Sequence, residues 1–177
     1  MPQIYFETER LILRNWKESD VWAFMEMNSN KEVMQYFPST LSEAETMDMI
    51  ERIKKHFVEF GYGLFAMERK DNQQFIGFTG FSHPKFESYF TPCIEIGWRI
   101  NKPNWNLGFA TEAAKSCLTF GFKNAGLTEI YSFTSVLNKP SEKVMQKIGM
   151  TKTGIFKHPS IEKNHPLHEH VLYKISK

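Results

Sequence analysis

The first third of the chain changes from a strand-like pattern to a helical one. Hydrophobic and polar residues alternate over 4–16, which predicts a first strand or a pair of strand segments bent near Glu9. Ser19 or Asp20 can then cap a helix, because apolar residues follow at helical intervals. A short helical turn is predicted over 32–37, ahead of a proline.

A longer helix and a hairpin come next. Ser42 and Glu45 have the spacing of a capping box, and apolar residues then recur every three or four positions until Gly61, which suits a helix end. The runs 63–69 and 74–81 have β-type composition and are joined by a polar turn. They predict the second and third strands.

The middle of the chain predicts a strand, a short loop and a closely packed helix. Residues 94–100 form the fourth predicted strand. The apolar face of the helix after it consists almost entirely of small residues: Ala110, Ala113, Ala114, Cys117, Leu118 and Gly121. The first amides of this helix, after the turn at Gly108, have no partner within the helix, so they can form a phosphate or pyrophosphate site. Gly108 alone is equally consistent with an ordinary turn, and neither a G-x-G-x-x-G nor a Gly-Lys-Ser/Thr motif occurs.

The C-terminal part predicts one more strand, a short helix and a ribbon. Gly126 suits the end of the long helix, and residues 129–136 form the fifth predicted strand. Pro140 fits the first turn of a helix within 138–150. Residues 151–177 are expected to add a β-ribbon that completes the sheet.

Composition limits the classes of function. The chain has 177 residues, of which 41% are hydrophobic and 24% charged, and it is expected to form a single domain, 1–177. Its net charge is +2 with acids and bases interspersed, so no nucleic-acid partner is indicated. Residues 1–10 lack the apolar core of a signal peptide and no run approaches ~18 apolar residues. We therefore expect no membrane segment and a cytoplasmic location.

The cysteines and histidines are expected to be structural. Cys93 and Cys117 are too few for a disulfide framework. Four histidines lie near the C-terminus: His158, His165, His168 and His170. They invite a zinc interpretation, but no cysteine or acid pair stands at ligand spacing. We therefore favour a surface or packing role and predict no metal.

Two motifs carry a family resemblance. Trp105-x-x-Gly108-x-Ala110 occupies the pattern Gln/Arg-x-x-Gly-x-Gly/Ala, and 138–150 holds Asn-x-x-Ser followed by Lys-x-Gly-Met. In this order they resemble the GNAT superfamily of N-acetyltransferases, whose first motif is the acetyl-CoA pyrophosphate loop. The tryptophan, the Ala-Thr-Glu-Ala after it and the segment 7–14 resemble the Rim-type branch, which contains ribosomal-protein N-terminal acetyltransferases. Asn106 departs from that branch, where a glycine is common.

The resemblance implies an α+β fold with a three-layer α/β arrangement. A central mixed, mostly antiparallel sheet of about seven strands would have helices on both faces, and its fourth and fifth strands would splay apart. Helices before the second strand would hold the acceptor. In that region Tyr36 and Phe37 could line the acceptor pocket or could simply belong to the core.

The resemblance also implies transfer of an acetyl group from acetyl-CoA, as co-substrate, to a primary amine by direct attack in a ternary complex. Backbone groups of Trp98, Arg99 and Ile100 would contact the pantetheine arm as an added strand would. The pyrophosphate would be held by the loop and the first helical turn, that is by Asn106, Leu107, Gly108, Phe109, Ala110 and Thr111. The Asn138 side chain would bond a pantetheine amide.

The catalytic residues are harder to assign. Many family members protonate the departing thiolate with a tyrosine, and this chain has Met145 at that position. Ser141 is the alternative proton donor, although it could equally cap its helix. Glu95 on the fourth strand is the candidate base, or else a carboxylate that only attracts a cationic substrate. His83 could be a base or a solvated loop residue.

The acceptor is open between several classes. An α-amine with pKa ~7.7–8.0 is partly neutral at pH 7, whereas a lysine amine near ~10.4 is almost fully charged. A site without a strong base therefore suits a peptide or protein N-terminus. The alternatives are a small amine, such as an amino acid, polyamine or antibiotic, and a non-catalytic acyl-CoA-binding domain. Monomer and homodimer are both consistent with the sequence.

Overall fold

Within residues 2–177, which the computed structural model describes, a mixed sheet of eight strands forms the centre of the fold. The strands are β1 (Ile4–Glu7), β2 (Leu11–Arg14), β3 (Leu64–Arg69), β4 (Phe75–Ser82), β5 (Glu95–Ile100), β6 (Glu129–Ser135), β7 (Thr151–Lys157) and β8 (Glu169–Ser176). The helices are α1 (Asp20–Ser29), α2 (Glu43–Phe60), α3 (Phe109–Lys123) and α4 (Lys139–Lys147), with a 3-10 turn over Lys102–Asn104.

The strand order is β1-β2-β3-β4-β5-β6-β8-β7, and every neighbouring pair is antiparallel except β5 and β6, which are parallel. The sequence predicts about seven strands. The eighth arises because residues 4–16 form two strands, joined by a turn in which Thr8 N donates to Leu11 O at 2.9 Å. The fourth and fifth predicted strands are therefore β5 and β6. The predicted α+β fold with its mostly antiparallel sheet is confirmed.

Helices cover both faces of the sheet, as predicted. Phe78 of β4 packs with Phe24 and Met27 of α1, whereas Phe81, on the opposite face, packs against α3. A Cβ atom at Gly121 of α3 would lie 2.6 Å from the Phe81 ring, so only a glycine allows this close approach. The fully buried members of the small-residue helix face are Ala113, Ala114 and Cys117.

The helix α2 begins and ends as predicted, and the segment before it forms short hydrogen-bonded turns. The Ser42 hydroxyl accepts from Glu45 N at 3.3 Å, the Glu45 carboxylate accepts from Ser42 N at 2.8 Å, and Gly61 ends the helix with φ 74°. Residues 30–37 form successive hydrogen-bonded turns, in which Met34 N donates to Asn30 O at 3.0 Å and Phe37 N donates to Met34 O at 2.9 Å. The Asn30 side chain accepts from the amides two and three residues on, at 2.9 and 3.2 Å, as a cap at a helix start does.

A buried ion-pair network replaces the predicted cap of α1. Ser19 makes no capping side-chain bond, and both carboxylate oxygens of Asp20 accept from the Arg14 guanidinium, at 2.7 and 2.8 Å. The Arg14 Nε also donates to Glu68 at 2.8 Å, and Lys17 Nζ lies 2.6 Å from the same carboxylate. This network ties β2, α1 and β3 together in the N-terminal part of the sheet.

The C-terminal part follows its prediction closely. Gly126 adopts φ 69°, and Leu127 N donates to Gly121 O at 3.0 Å, which closes the end of α3. The strands β7 and β8 form the expected antiparallel ribbon. The loop after β4 adds Phe86 and Phe90, which pack on β6 and β7.

Candidate active site

The strands β5 and β6 begin side by side and then separate. At the start of the pair Tyr131 N donates to Ile94 O at 2.8 Å. At the next residue of β6 the hydroxyl of Ser132, rather than an amide, bonds Ile96 O at 2.9 Å. Glu95 and Tyr131 are the only register partners of the two strands within residues 2–177. The sheet therefore contains a fork that opens toward the C-terminal end of β5.

The backbone of β5 alternates between β4 and this fork. The carbonyl groups of Ile94, Ile96 and Ile100 point to the fork side, and the Trp105 indole N–H bonds the last of these at 2.7 Å. Trp98 lies between the last two and, within residues 2–177, has no register partner in β6. By the same alternation the backbone groups of Arg99 point to β4. The sequence-based set of pantetheine contacts therefore needs a correction at Arg99, because a strand presents only alternate residues to one side.

The loop before α3 has the backbone shape of an anion site. Gly108 adopts φ 84°, and α3 has no side-chain cap among the described residues. The first amides of the helix, those of Phe109, Ala110 and Thr111, therefore have no partner within it. Asn106 also takes a left-handed φ of 60°, a conformation that asparagine tolerates better than most residues. This explains how asparagine can stand where the Rim-type branch often has glycine.

Two arginines border this loop, and neither is indicated by the sequence motifs. Arg10 Nη1 donates to Leu107 O at 2.9 Å, and the guanidinium groups of Arg10 and Arg69 lie 4.4 and 5.3 Å from the centre of the Phe109 ring. Glu112 holds Arg10 in place, with Nε–Oε2 at 2.7 Å, and accepts from Thr8 at 2.6 Å. Thr8, Arg10 and Glu112 lie in the two segments that resemble the Rim-type branch. Their contact joins residues too far apart in sequence to be read from either segment.

Glu95 lies at the base of the fork. It is half-buried, and Ser82 Oγ of β4 donates to its Oε2 at 3.3 Å. Burial raises the pKa of Glu95 to about 7, and the hydrogen bond from Ser82 opposes this shift only in part. At neutral pH the side chain is therefore divided between carboxylate and acid, which suits a group that accepts a proton.

An open space lies between Glu95 and Arg99. Glu95, Gly97 and Arg99 share one face of β5, and a Cβ built at Gly97 would have only Glu95 Oε1 within 4 Å, at 3.9 Å. Phe37 stands over the Arg99 guanidinium at 4.4 Å and keeps 41% of its surface exposed. Neither Phe37 nor the half-buried Tyr36 belongs to a core cluster. The turn segment before α2 thus faces this space.

Three residues with roles predicted from the sequence, Asn138, Ser141 and Met145, have different surroundings in α4 and at its start. Asn138 is the cap: its Oδ1 accepts from Ser141 N at 3.3 Å and its Nδ2 donates to Thr134 Oγ1 at 2.9 Å. Both ends of this side chain are engaged, which leaves it one spare lone pair and one spare N–H. The Ser141 hydroxyl has no hydrogen-bond partner within residues 2–177 and does not cap the helix. Met145 is 1% exposed and belongs to the core.

The histidines have structural surroundings. His83 Nδ1 lies 2.9 Å from His56 Nε2, and burial followed by the charge of His56 lowers the pKa of His83. His158 and His170 stack in an aromatic cluster with Phe156. Within residues 2–177, no three His, Cys, Asp or Glu side chains are grouped to hold a metal ion. No helix in that range has the length and apolar character that crossing a membrane requires.

Comparison with known proteins agrees with this geometry. Residues 10–151 match the family described as acetyltransferase (GNAT) domain. The chain is 33% identical over 156 residues to the uncharacterized N-acetyltransferase YnaD of Bacillus subtilis, covering 87% of this chain and 86% of that protein.

Solved structures are similar over nearly the whole chain. A GNAT-family acetyltransferase from Bacillus anthracis superposes with a TM-score of 0.79 at 29% identity, covering 99% of this chain and 98% of that one. RimL, a ribosomal L7/L12 alpha-N-protein acetyltransferase solved in complex with coenzyme A, has the same fold, with a TM-score of 0.80 at 18% identity and 98% coverage of each chain. The chain belongs to the GNAT family of N-acetyltransferases.

Proposed function

We propose that this protein transfers the acetyl group of acetyl-CoA to a primary amine by direct attack, and that the acceptor is the α-amine of a peptide or protein. The observation that carries the proposal is the fork between β5 and β6, with Glu95 at its base and the open amides of α3 beyond its mouth. A single domain, 1–177, contains all of these parts.

The residues around the fork fit acetyl-CoA. Its pyrophosphate suits the amides of residues 106–111, since free helix N-terminal amides bind anions. Arg10 and Arg69 lie next to these amides, each paired with a carboxylate. The backbone of Trp98 and the amide of Ile100 are available on the fork side to bond the pantetheine arm. Asn138 can use only its spare lone pair and N–H for the same purpose. When bound, acetyl-CoA supplies an activated acetyl thioester.

Two side chains are suited to move protons. Glu95, with a pKa raised to about 7 by burial, accepts the proton of the attacking amine directly or through a water molecule. Ser141, whose hydroxyl does not cap α4, donates a proton to the departing thiolate and regains one from solvent, to which Glu95 releases the proton of the amine. A backbone N–H of β5 stabilises the oxyanion that forms between them. The buried Met145 takes no part.

The choice of an α-amine rests on acidity. A base with a pKa near 7 is poorly matched to a lysine amine near ~10.4, but it is well matched to an α-amine near ~7.7–8.0. The tryptophan of the loop, the Ala-Thr-Glu-Ala after it and the segment 7–14 resemble the Rim-type branch, which contains ribosomal-protein N-terminal acetyltransferases. The fold shared with RimL adds nothing on the acceptor, because its identity is only 18%.

The proposal is tested by following free CoA release with a panel of peptides, lysine derivatives, polyamines and antibiotics. We expect release with peptide α-amines, a loss of about 10²-fold or more in Glu95→Gln, and a smaller loss in Ser141→Ala. The affinity for CoA, measured by calorimetry, should stay unchanged in both variants. Preference for lysine side chains or polyamines would overturn the acceptor assignment, and tight CoA binding without turnover on any amine would overturn the activity.

A further inference from the structure

The arginines of this chain differ in how they use one edge of the guanidinium group. Arg10, Arg14 and Arg69 each direct the edge formed by Nε and Nη2 at a carboxylate, at distances from 2.5 to 2.9 Å. Arg52 is exposed and bonds a backbone carbonyl through Nε. Arg99 is the exception, because its Nε is buried and has no hydrogen-bond partner within residues 2–177.

Arg99 is stabilised only by neutral groups. Its Nη1 donates to Asn28 Oδ1 at 2.5 Å, and its guanidinium lies between the rings of Phe37 and Phe78, at 4.4 and 5.4 Å. Within residues 2–177 no carboxylate forms an ion pair with it. A buried cation without a counter-ion is costly, and the aromatic rings cover its faces but not its edge. The unused edge carries two parallel donors, a geometry that binds a carboxylate through two hydrogen bonds.

The position of Arg99 connects this edge with the proposed site. Arg99 lies four residues after Glu95 on the same face of β5, which places their Cα atoms roughly 13 Å apart. The space over Gly97 lies between them, and within 4 Å of a Cβ built there it holds only Glu95 Oε1, at 3.9 Å. An extended peptide advances ~3.3–3.6 Å per residue. An amine beside Glu95 is therefore followed, two or three residues along, by a side chain within reach of Arg99.

We propose that Arg99 binds a carboxylate of the acceptor, and that the preferred acceptor is a peptide with an acidic side chain at its second or third residue. The inference rests on the proposed function, since it takes Glu95 as the place where the amine reacts. Phe37 lies over the guanidinium at 4.4 Å, and because Nε is buried, binding requires the turn segment that carries Phe37 to shift and admit the carboxylate. Arg99 then acts as a specificity residue that sets the KM for the acceptor.

The test uses short amidated peptides that begin with alanine and differ only in Glu or Gln at the second or third residue. We expect at least about a tenfold higher kcat/KM for the Glu peptide of the better position, carried mainly by KM. Arg99→Met should remove this preference and leave the KM for acetyl-CoA unchanged. Arg99→Lys keeps the positive charge but lacks the paired donors of the guanidinium edge, so it should retain part of the preference. Arg52→Met, on the exposed face of α2, is the control for loss of an arginine.

A second measurement separates this inference from the proposed function. N-acetylated Glu and Gln peptides cannot react, and calorimetry with CoA present measures their binding alone. Acetylation of Glu and Gln peptides at equal kcat/KM, or equal binding of the acetylated pair, would overturn the role of Arg99 while leaving the activity intact. Absence of acetylation together with Glu-selective binding that Arg99→Met abolishes would overturn the activity and leave the carboxylate site standing. A thermal unfolding scan confirms that each variant is folded.

Discussion

Arg14, which is buried, and Arg99, which is half-buried with a buried Nε, show the difference between an arginine that stabilises the fold and one that is available to a ligand. Arg14, 2% exposed, has its donors matched by Asp20, Glu68 and the Asn15 carbonyl, and these partners come from the chain itself. Arg99 contacts the Asn28 side-chain amide and two aromatic rings, and within residues 2–177 its Nε has no hydrogen-bond partner. Burial lowers the pKa of Arg99 to about 10, whereas for Arg14 burial also lowers the pKa but its two carboxylates more than reverse the shift. The ion pairs of Arg14 are complete within the chain, which fits a structural role. Arg99 lacks a counter-ion, which fits a ligand-binding role.

The stability of paired variants tests this comparison most strongly. Arg14→Met leaves two buried carboxylates short of their counter-ion, and we expect it to lower the free energy of unfolding by about 3–5 kcal/mol. Arg99→Met removes a cation that has no counter-ion, so the free energy of unfolding should stay within about 1 kcal/mol or rise. Urea unfolding of both variants measures the difference. Equal destabilisation by the two substitutions would contradict the different roles assigned to Arg14 and Arg99.

The sequence predicts the elements better than the contacts between them. The capping box of Ser42, the turn at Gly61 and the loop at Gly108 are set by neighbouring residues, and each is where the pattern places it. The Arg10–Glu112 contact and the unpaired edge of Arg99 depend on residues brought together by the sheet. No local pattern contains that information.

Two site predictions also show this limit. The sequence predicts that Asn138 bonds a pantetheine amide and leaves Ser141 open between a proton donor and a cap. In the structure Asn138 caps α4 and the Ser141 hydroxyl does not. The backbone direction of Arg99 follows from the register with β4, which the sequence of β5 does not define. Which residue carries a role is therefore decided by pairing and capping geometry, while the presence of the strand, loop and helix is decided by composition.

The pH profile of the reaction tests the role of Glu95 in the proposed site. Burial raises the pKa of Glu95 to about 7, so the carboxyl group is protonated and inactive as a base below that pH and becomes active above it. Two groups, Glu95 and an acceptor α-amine near ~7.7–8.0, must both lose a proton, so log kcat/KM should fall with a slope of about two on the acid side.

The variant Glu95→Gln supplies the control for that profile. It should react about 10²-fold more slowly and leave an acid limb with a slope of about one, which belongs to the amine alone. Steady-state rates measured from about pH 5.5 to about pH 9, a range that spans both ionisations, give the two slopes. An unchanged slope in Glu95→Gln would mean that Glu95 is not the base.

Gly80 and Gly97 are register partners, and substituting them should change stability less than the substitutions above. Gly80 of β4 has φ 155°, and a Cβ there would overlap the Gly63 carbonyl oxygen, whereas a Cβ at its partner Gly97 would meet only Glu95 Oε1 at 3.9 Å. Gly80→Ala should therefore lower the free energy of unfolding by about 1–3 kcal/mol. Gly97→Ala should change it by less than about 1 kcal/mol, since alanine fits a strand at least as well as glycine.

The activity of the same two variants separates fold from site once more. The methyl group of Gly97→Ala enters the space between Glu95 and Arg99, so the KM for a peptide acceptor should rise several-fold while the KM for acetyl-CoA stays constant. Gly80→Ala, assayed well below its unfolding temperature, should keep both KM values close to those of the unaltered protein. An unchanged acceptor KM in Gly97→Ala, together with a raised acceptor KM in Gly80→Ala, would contradict this. The space that the alanine methyl group fills would then be unused, and the acceptor would not lie on the open face of β5.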